Sequence, residues 1–433
     1  MIEDSKMNPN ARLLIQKYRE QSGKNILLKD YHNTKYKLTS KNHEVAENII
    51  KIAKRFTAKE GNIIEIAKDP KSNTIKTLFI QSKQGGLLYE KLPKILQLDG
   101  TYCTNISNYS LYLLVCPDYT FKTQIIAASL IRNEDSVNIG EFLSIFKSRN
   151  PAHTQLETIV IDKDSAEINA IKHELPEAKI ILCYFHNLAN IEKNLKEPFA
   201  KAEQMKNIFR AMSKTTDQVK FTSLSEDMKS LSNEKFWKYF DENWLNCQEY
   251  WAGYSVNFNK CYGNNSNGRI EGKNRALKLI LDRHDKLDVF LEKYILFLDQ
   301  DEIECKHRLF SQTMSISTKL DESDILEYIQ SKYCHELYVK CSNESKKLSL
   351  SFEKNPEGKF IFDDDMDVKQ IFDPKEQICN CHFFKHFGLP CRHIFQLVTK
   401  KLISFDNFDG TYQLNSIKAV ESKRRKSMTI ATS

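Results

Sequence analysis

Three acidic residues stand where divalent cations could be held. Asp99 follows the apolar run of residues 95–98 in ILQLDGTY, with Gly100 after it expected to turn the chain away, Asp162 closes the run TIVID (158–162), and Glu271 lies in the polar stretch NNSNGRIEGKN (264–274). Two carboxylates at the C-terminal ends of adjacent buried strands, joined by one from a helix, offer the hard oxygen ligands that suit Mg²⁺ or Mn²⁺. A cation pair held in this way stabilises the attacking and leaving oxygens of a phosphoryl transfer. Each acid alone reads better as an ordinary acid in a loop; it is the trio on one element order that points to metal. Asp164 competes with Asp162 for the second position.

A second constellation is the strongest local motif: Cys379-Asn380-Cys381, nine residues, then Cys391-Arg392-His393. Three thiolates and one imidazole satisfy tetrahedral Zn²⁺, and a site closed by four protein ligands is structural rather than catalytic. Gly388-Leu389-Pro390 breaks the chain between the two pairs, and His393 is expected to open a helix over 394–400. The alternative is a set of buried thiols. His382 and His386 are spare imidazoles outside the ligand set. The third constellation, Cys183-Tyr184-Phe185-His186, is compatible with half a zinc site, but no partner pair lies close in sequence. A buried Cys with a His that hydrogen-bonds the acidic site accounts for it as well, and a structural role is the weightier reading.

Positioning these residues needs more than one core, since 433 residues imply two or three domains. The apolar share supports a globular chain. Lys plus Arg exceed Asp plus Glu by 64 to 57, a net charge of +7 that permits a polyanionic partner such as nucleic acid without requiring one. The first twenty residues are polar and lack an apolar signal core, and no apolar run reaches the length of a membrane span. No membrane association is therefore expected. A cytosolic or nuclear protein with eleven reduced cysteines is. The run Lys423-Arg424-Arg425-Lys426 looks like a nuclear import signal.

Residues 1–60 read as helices, with Leu13, Leu14, Ile15 and Tyr18 on one apolar face and Ile49, Ile50, Ile52 and Phe56 on another. They form a small packing domain or a helix-turn-helix-like remnant. Strands are expected at 62–67 and 74–81, joined by the turn cluster PKSN (70–73). From Ile95 the pattern reads β-β-β-α-β-α-β: strands at 95–99, 110–116 and 123–131, a helix at 138–148, a strand at 158–162, a helix at 165–174 and a strand at 179–183. Three consecutive strands followed by alternation imply an α/β mixed sheet flanked by helices. Residues 185–262 read as helical, and the aromatic run 235–251, with all three tryptophans, as helix-packing core. Glu271 is expected on a helix capped by the polar run before it, among Arg269, Lys273, Arg275 and Lys278. Those cations form either a solvated face or a surface for phosphates. An amphipathic helix at 289–304, a linker near 311–332 and a hairpin at 348–362 complete the reading.

The motifs ILQLDGTYCTN, TIVIDKDSAEINAI, ILCYFHNLANIEKN and NNSNGRIEGKNRALK resemble, in the same order, the core of Mutator-like element (MULE) transposases and their domesticated relatives. CNC…CRH looks like a SWIM zinc finger. The resemblance runs from about residue 62 to 278, and to about 400 with the finger. It implies an RNase H-like DDE domain with an all-α insertion, in which Asp99, Asp162 and Glu271 are the catalytic, Mg- or Mn-binding triad. Cys183 and His186 fall on the family's Cys-x-x-His motif beside the core. The implied activity is metal-dependent DNA cleavage and strand transfer at terminal inverted repeats, in the nucleus and by a homodimer. The alternative is a domesticated, transposase-derived DNA-binding or transcription regulatory protein. The implied layout is an N-terminal helical region (1–60), the first part of the core (61–184), the insertion (185–262), core completion with Glu271 (263–310), a helical linker (311–345), the SWIM finger with its hairpin (346–402) and a basic tail (403–433). Family members often begin with a Cys/His-rich zinc domain, whereas the first cysteine here is Cys103. DNA targeting is then expected from the N-terminal helices and the finger, unless this copy is truncated.

Overall fold

The computed structural model describes residues 42–68, 74–101, 104–257, 259–263, 268–315, 325–347, 350–363, 369–408 and 411–413. The expected helix around Leu13–Tyr18, most of the polar run before Glu271, and the basic cluster 423–426 lie outside the described residues.

Helix α1 (Asn42–Thr57) leads into strands β1 (Ile63–Lys68) and β2 (Ile75–Gln81). Then follow α2 (Lys83–Lys91), β3 (Ile95–Thr101), β4 (Ser110–Pro117), β5 (Thr123–Ile131), α3 (Ser136–Arg149), β6 (Thr158–Ile161), α4 (Ser165–Glu174) and β7 (Lys179–Leu182). The seven strands form one sheet in the order β1-β2-β5-β4-β3-β6-β7. Strands β3, β6 and β7 pair in parallel, and every other neighbour is antiparallel. Parallel neighbours need a crossover, which is why helices α3 and α4 lie between β5, β6 and β7, while β3, β4 and β5 follow one another directly.

Helix α2 was not expected from the sequence. KQGGLLYEK carries two glycines, each a poor helix former, but the hydroxyl of Ser82 accepts the Gly85 N–H at 3.0 Å and caps the first turn. Gly100 also departs from expectation. It does not turn the chain away, because β3 continues to Thr101. A side chain there would meet the Tyr112 ring, with a Cβ 2.8 Å from its nearest carbon, so glycine lets the neighbouring strand's tyrosine lie across β3.

The helical segment comprises α5 (Tyr184–Asn194), α6 (Phe199–Lys214), α7 (Gln218–Leu231), α8 (Glu234–Asn243) and α9 (Gly253–Val256). Its aromatic run is packing core: Phe209 stacks on Trp251 at 4.7 Å between ring centroids and meets Trp244 edge-on at 5.6 Å. Next come α10 (Gly268–Lys278), α11 (Leu287–Ser315), α12 (Ile325–Lys332) and α13 (His335–Ser345). The C-terminal part holds β8 (Ser351–Lys354), β9 (Phe360–Asp363), β10 (Gln370–Asp373), β11 (Ile378–Cys379), α14 (His382–Phe387) and α15 (Arg392–Thr399). The expected hairpin is β8–β9, extended by two strands too short to show a period, in the order β11-β10-β9-β8.

The large sheet is buried on both faces, so β4 reads as one continuous apolar run, with all eight residues buried. Leu111, Leu113 and Val115 point to one face, against Ile52 and Phe56 of α1, Ile270 and Leu277 of α10, and Phe290 and Tyr294 of α11. Leu96, Leu98 and Leu114 point to the other, against Phe142 and Phe146 of α3 and Ile171 of α4. Each fully buried side chain of this size stabilises the fold by about 1.5–3 kcal/mol. This double packing fixes the C-terminal edge of β3, β6 and β7, where the acids lie.

Candidate metal centres

Strands β3 and β6 align with Gln97 opposite Val160. Extending that register by two residues brings Asp99, inside β3, level with Asp162, which immediately follows β6. Alternation along β3 puts Asp99 on the opposite face from Leu98, the face that α10 covers. Ile270 and Leu277 anchor α10 in that core, and Glu271 and Asn274 project beside them.

The contacts follow from this placement. His186, in the first turn of α5, puts Nδ1 2.7 Å from Asp162 Oδ1 and Nε2 3.3 Å from Glu271 Oε1. The Asn274 amide donates to Asp99 Oδ2 at 2.7 Å. Asp162 and Glu271 thus share one imidazole, and Asp99 is tied to the helix that carries Glu271. Burial first, then the charges of Asp162 and Glu271, push Asp99 up to about 7, against the opposing pull of His186 and Lys278. Asp162 beside it, and then Cys183, push His186 up to about 11, so the ring is an imidazolium at neutral pH. Carboxylates crowded closely enough to raise the pKa of Asp99 form a donor set that suits a hard divalent cation. Asp99, Asp162 and Glu271 fit that ion on these grounds.

Cys183 ends β7 and is fully buried. Its sulfur, one Asp162 oxygen and one His186 nitrogen lie within 4.8 Å of one another. The Cys-x-x-His pair therefore faces the acidic edge rather than a second cysteine pair. Asp164 instead caps α4, accepting from the N–H groups of Ala166 at 2.7 Å and Glu167 at 3.0 Å. Of the cations around Glu271, Arg269 pairs with Glu336 at 3.0 Å and Lys273 with Asp301, while Arg275 and Lys278 are exposed.

Two residues near the acids escaped the sequence reading. Asn274 stands three residues after Glu271, a spacing that shares a helix face, but nothing local marks its partner. Glu167 lies in the first turn of α4, buried, with Oε2 lacking a hydrogen-bond partner. Its burial, then Asp164, Asp99, Asp162 and Glu134, push its carboxyl well above the ordinary range. Its one signal was an acid one turn after two others.

The second centre is closed. Cys379 ends β11, Cys381 caps α14, and Cys391 and His393 begin α15. All four are buried and their ligand atoms lie within 4.8 Å of one another. His393 turns Nδ1 toward the thiols, 3.6 Å from Cys379 Sγ and 3.5 Å from Cys391 Sγ. Burial raises the Cys379 and Cys391 thiols. It raises Cys381 too, but hydrogen bonds from Cys379, Cys391 and His393 outweigh it and hold that thiol well below its usual value. A buried thiolate, two more thiols and an imidazole at one point fit Zn²⁺. His382 and His386 stay outside the set.

Residues 54–181 match the family model described as the RNaseH-like domain of zinc finger SWIM domain-containing protein 1/3. The match runs from the end of α1 into β7 and contains Asp99 and Asp162; Glu271 and the thiol cluster lie beyond it. The chain therefore carries an RNase H-like domain similar to that of the zinc finger SWIM domain-containing proteins 1 and 3, a domain type that fits a transposase-derived protein.

Proposed function

We propose that this protein is a DDE-type DNA transposase of the Mutator-like class, or a direct descendant of one, in which Asp99, Asp162 and Glu271 hold Mg²⁺ or Mn²⁺ for DNA strand cleavage and transfer. The observation that carries this reading is the convergence of three carboxylates from β3, β6 and α10 on one edge, with His186 and Asn274 linking them. When bound, a pair of divalent cations supplies charge stabilisation for the attacking and leaving oxygens of the phosphodiester. The chain's own residues supply placement. Asn274 holds Asp99 toward α10, and His186 keeps Asp162 and Glu271 together. Arg275 and Lys278, on the exposed face of α10, are set to take DNA phosphates. Cys379, Cys381, Cys391 and His393 hold zinc as a structural ion.

A second reading, a domesticated nuclear DNA-binding or transcription regulatory protein, draws on the same geometry. A charged His186 between Asp162 and Glu271 balances those acids internally, as a scaffold kept for binding could do. One assay separates the two. Purified protein with Mn²⁺ or Mg²⁺ is incubated with DNA carrying the inverted repeats that flank its coding sequence, and with unrelated DNA. The transposase reading expects metal-dependent cleavage at the repeat ends, reduced at least about 10²–10³-fold in Asp99→Asn, the scale of losing one electrostatic contribution to a transition state. Binding without cleavage supports domestication, and cleavage undiminished in Asp99→Asn rejects the triad.

A further inference from the structure

The chain reaches Glu271 through Cys261-Tyr262-Gly263, and this tripeptide is gripped by the helix between the two halves of the thiol cluster. The Tyr262 N–H donates to the His386 carbonyl at 3.2 Å, and the Gly263 N–H to His386 Nε2 at 2.5 Å. Cys261 Sγ lies 3.2 Å from His386 Nε2 and 3.4 Å from Nδ1. Gly263 has φ of +78°, and a Cβ there would stand 3.3 Å from the Phe387 ring, so glycine permits both the turn and the close seat. Cys261 and His386 are buried, and burial drives the His386 pKa down to about 3. The imidazole is therefore neutral, and its Nε2 accepts the Gly263 N–H.

Helix α14 has six residues, too few to hold itself together in water. Its N-cap is Cys381, whose sulfur accepts the Phe384 N–H, and its C-terminal Gly388 leads within three residues to Cys391. The thiol cluster is thus the clasp that closes α14. A second tie runs in parallel. Arg269, two residues before Glu271, pairs with Glu336 at one end of α13, and Glu344 at the other end accepts the Arg392 N–H beside the cluster at 3.2 Å.

We infer that the zinc cluster positions Glu271: zinc closes α14, His386 of that helix holds Cys261–Gly263, and this hold fixes the entry to α10. His386 and Cys261 are positioning residues, and loss of zinc loosens the acidic edge, whose nearest acid, Glu271, stands 108 positions before the first thiol ligand, Cys379. The effect on cation affinity rests on the triad reading above; the effect on local order does not.

The test uses the full chain and hydrogen–deuterium exchange read on peptides covering 261–278, 95–117 and 379–400. Removing zinc with a chelator that spares Mg²⁺ is expected to speed exchange over both 379–400 and 261–278, while 95–117 stays protected. His386→Ala is expected to keep zinc and global melting behaviour, yet speed exchange over 261–278 by about tenfold, the size expected for loss of one or two buried hydrogen bonds. His386→Gln, which restores an acceptor near the Nε2 position, is expected to reverse much of that change. Mn²⁺ affinity, measured in parallel, is expected to weaken in His386→Ala and recover in His386→Gln. Zinc loss that loosens only 379–400, or His386→Ala with unchanged exchange over 261–278, overturns the inference. If wild-type protein binds no Mn²⁺ while the exchange pattern holds, the triad reading fails and the positioning inference stands.

Discussion

The two candidate centres gather similar numbers of ligands in opposite ways. The thiol cluster draws four residues from one stretch of fifteen and seals them from solvent. The acidic edge draws its residues from across nearly 175 positions and leaves Asp162, His186 and Glu271 part-exposed. A sealed site with four ligands can stabilise a fold but offers a substrate no position. An open edge whose crowded carboxylates raise the pKa of Asp99 is poorly suited to stabilising the metal-free fold, and it keeps one side toward solvent. On the function proposed above, the contrast is that of a structural ion and a working one.

The largest expected effect lies on the closed side. Cys391→Ser should abolish zinc binding and unfold α14 and α15, since metal binding in such modules carries much of their folding free energy. Metal analysis together with proteolysis of the C-terminal segment checks this; retained zinc would remove the assignment. On the open side the effect depends on pH. Asp99 keeps its proton up to about pH 7 in the folded protein, against 3.8 for an ordinary aspartate. In the metal-free protein its contribution to stability is therefore greatest below pH 4 and is lost as pH rises toward 7. A cation requires the ionised form, so Mn²⁺ affinity should climb by up to about tenfold per unit as pH rises to 7 and flatten above it. Affinity independent of pH between 5.5 and 8 would contradict a role for Asp99 as ligand. A smaller change is expected from Asn274→Ala, which removes the donor to Asp99 and should cost about 1–2 kcal/mol at pH 8 by denaturant unfolding. No loss would mean that Asn274 does not hold the ionised carboxylate.

The sequence made one side of this comparison far more legible than the other. Cys379, Cys381, Cys391 and His393 carry their geometry in their spacing, because local pairs on one turn must bite one ion. The strands of the large sheet were legible too, since burial on both faces writes them as unbroken apolar runs such as 110–116. The acidic edge was legible as two strand-end acids and a helical one on a single element order, but not in its contacts. Its linkage through His186 and Asn274 depends on partners 24 to 175 residues away, which periodicity does not encode. The seat of Cys261 on His386 was hidden for the same reason, and Gly100 was misread because its constraint, the Tyr112 ring, lies on another strand. Helix α2 shows the converse: one serine cap outweighs two glycines, a local balance that apolar spacing does not reveal.

On the proposed function, Asp99, Asp162 and Glu271 together form a divalent-cation site. Titration of Mn²⁺ into zinc-loaded protein at pH 8, followed by electron paramagnetic resonance, tests it most directly. Saturable binding is expected in the wild type, lost in Asp99→Asn and in Glu271→Gln while the zinc content stays constant. Equal Mn²⁺ binding in the wild type and both variants, or none in any of them, would contradict it.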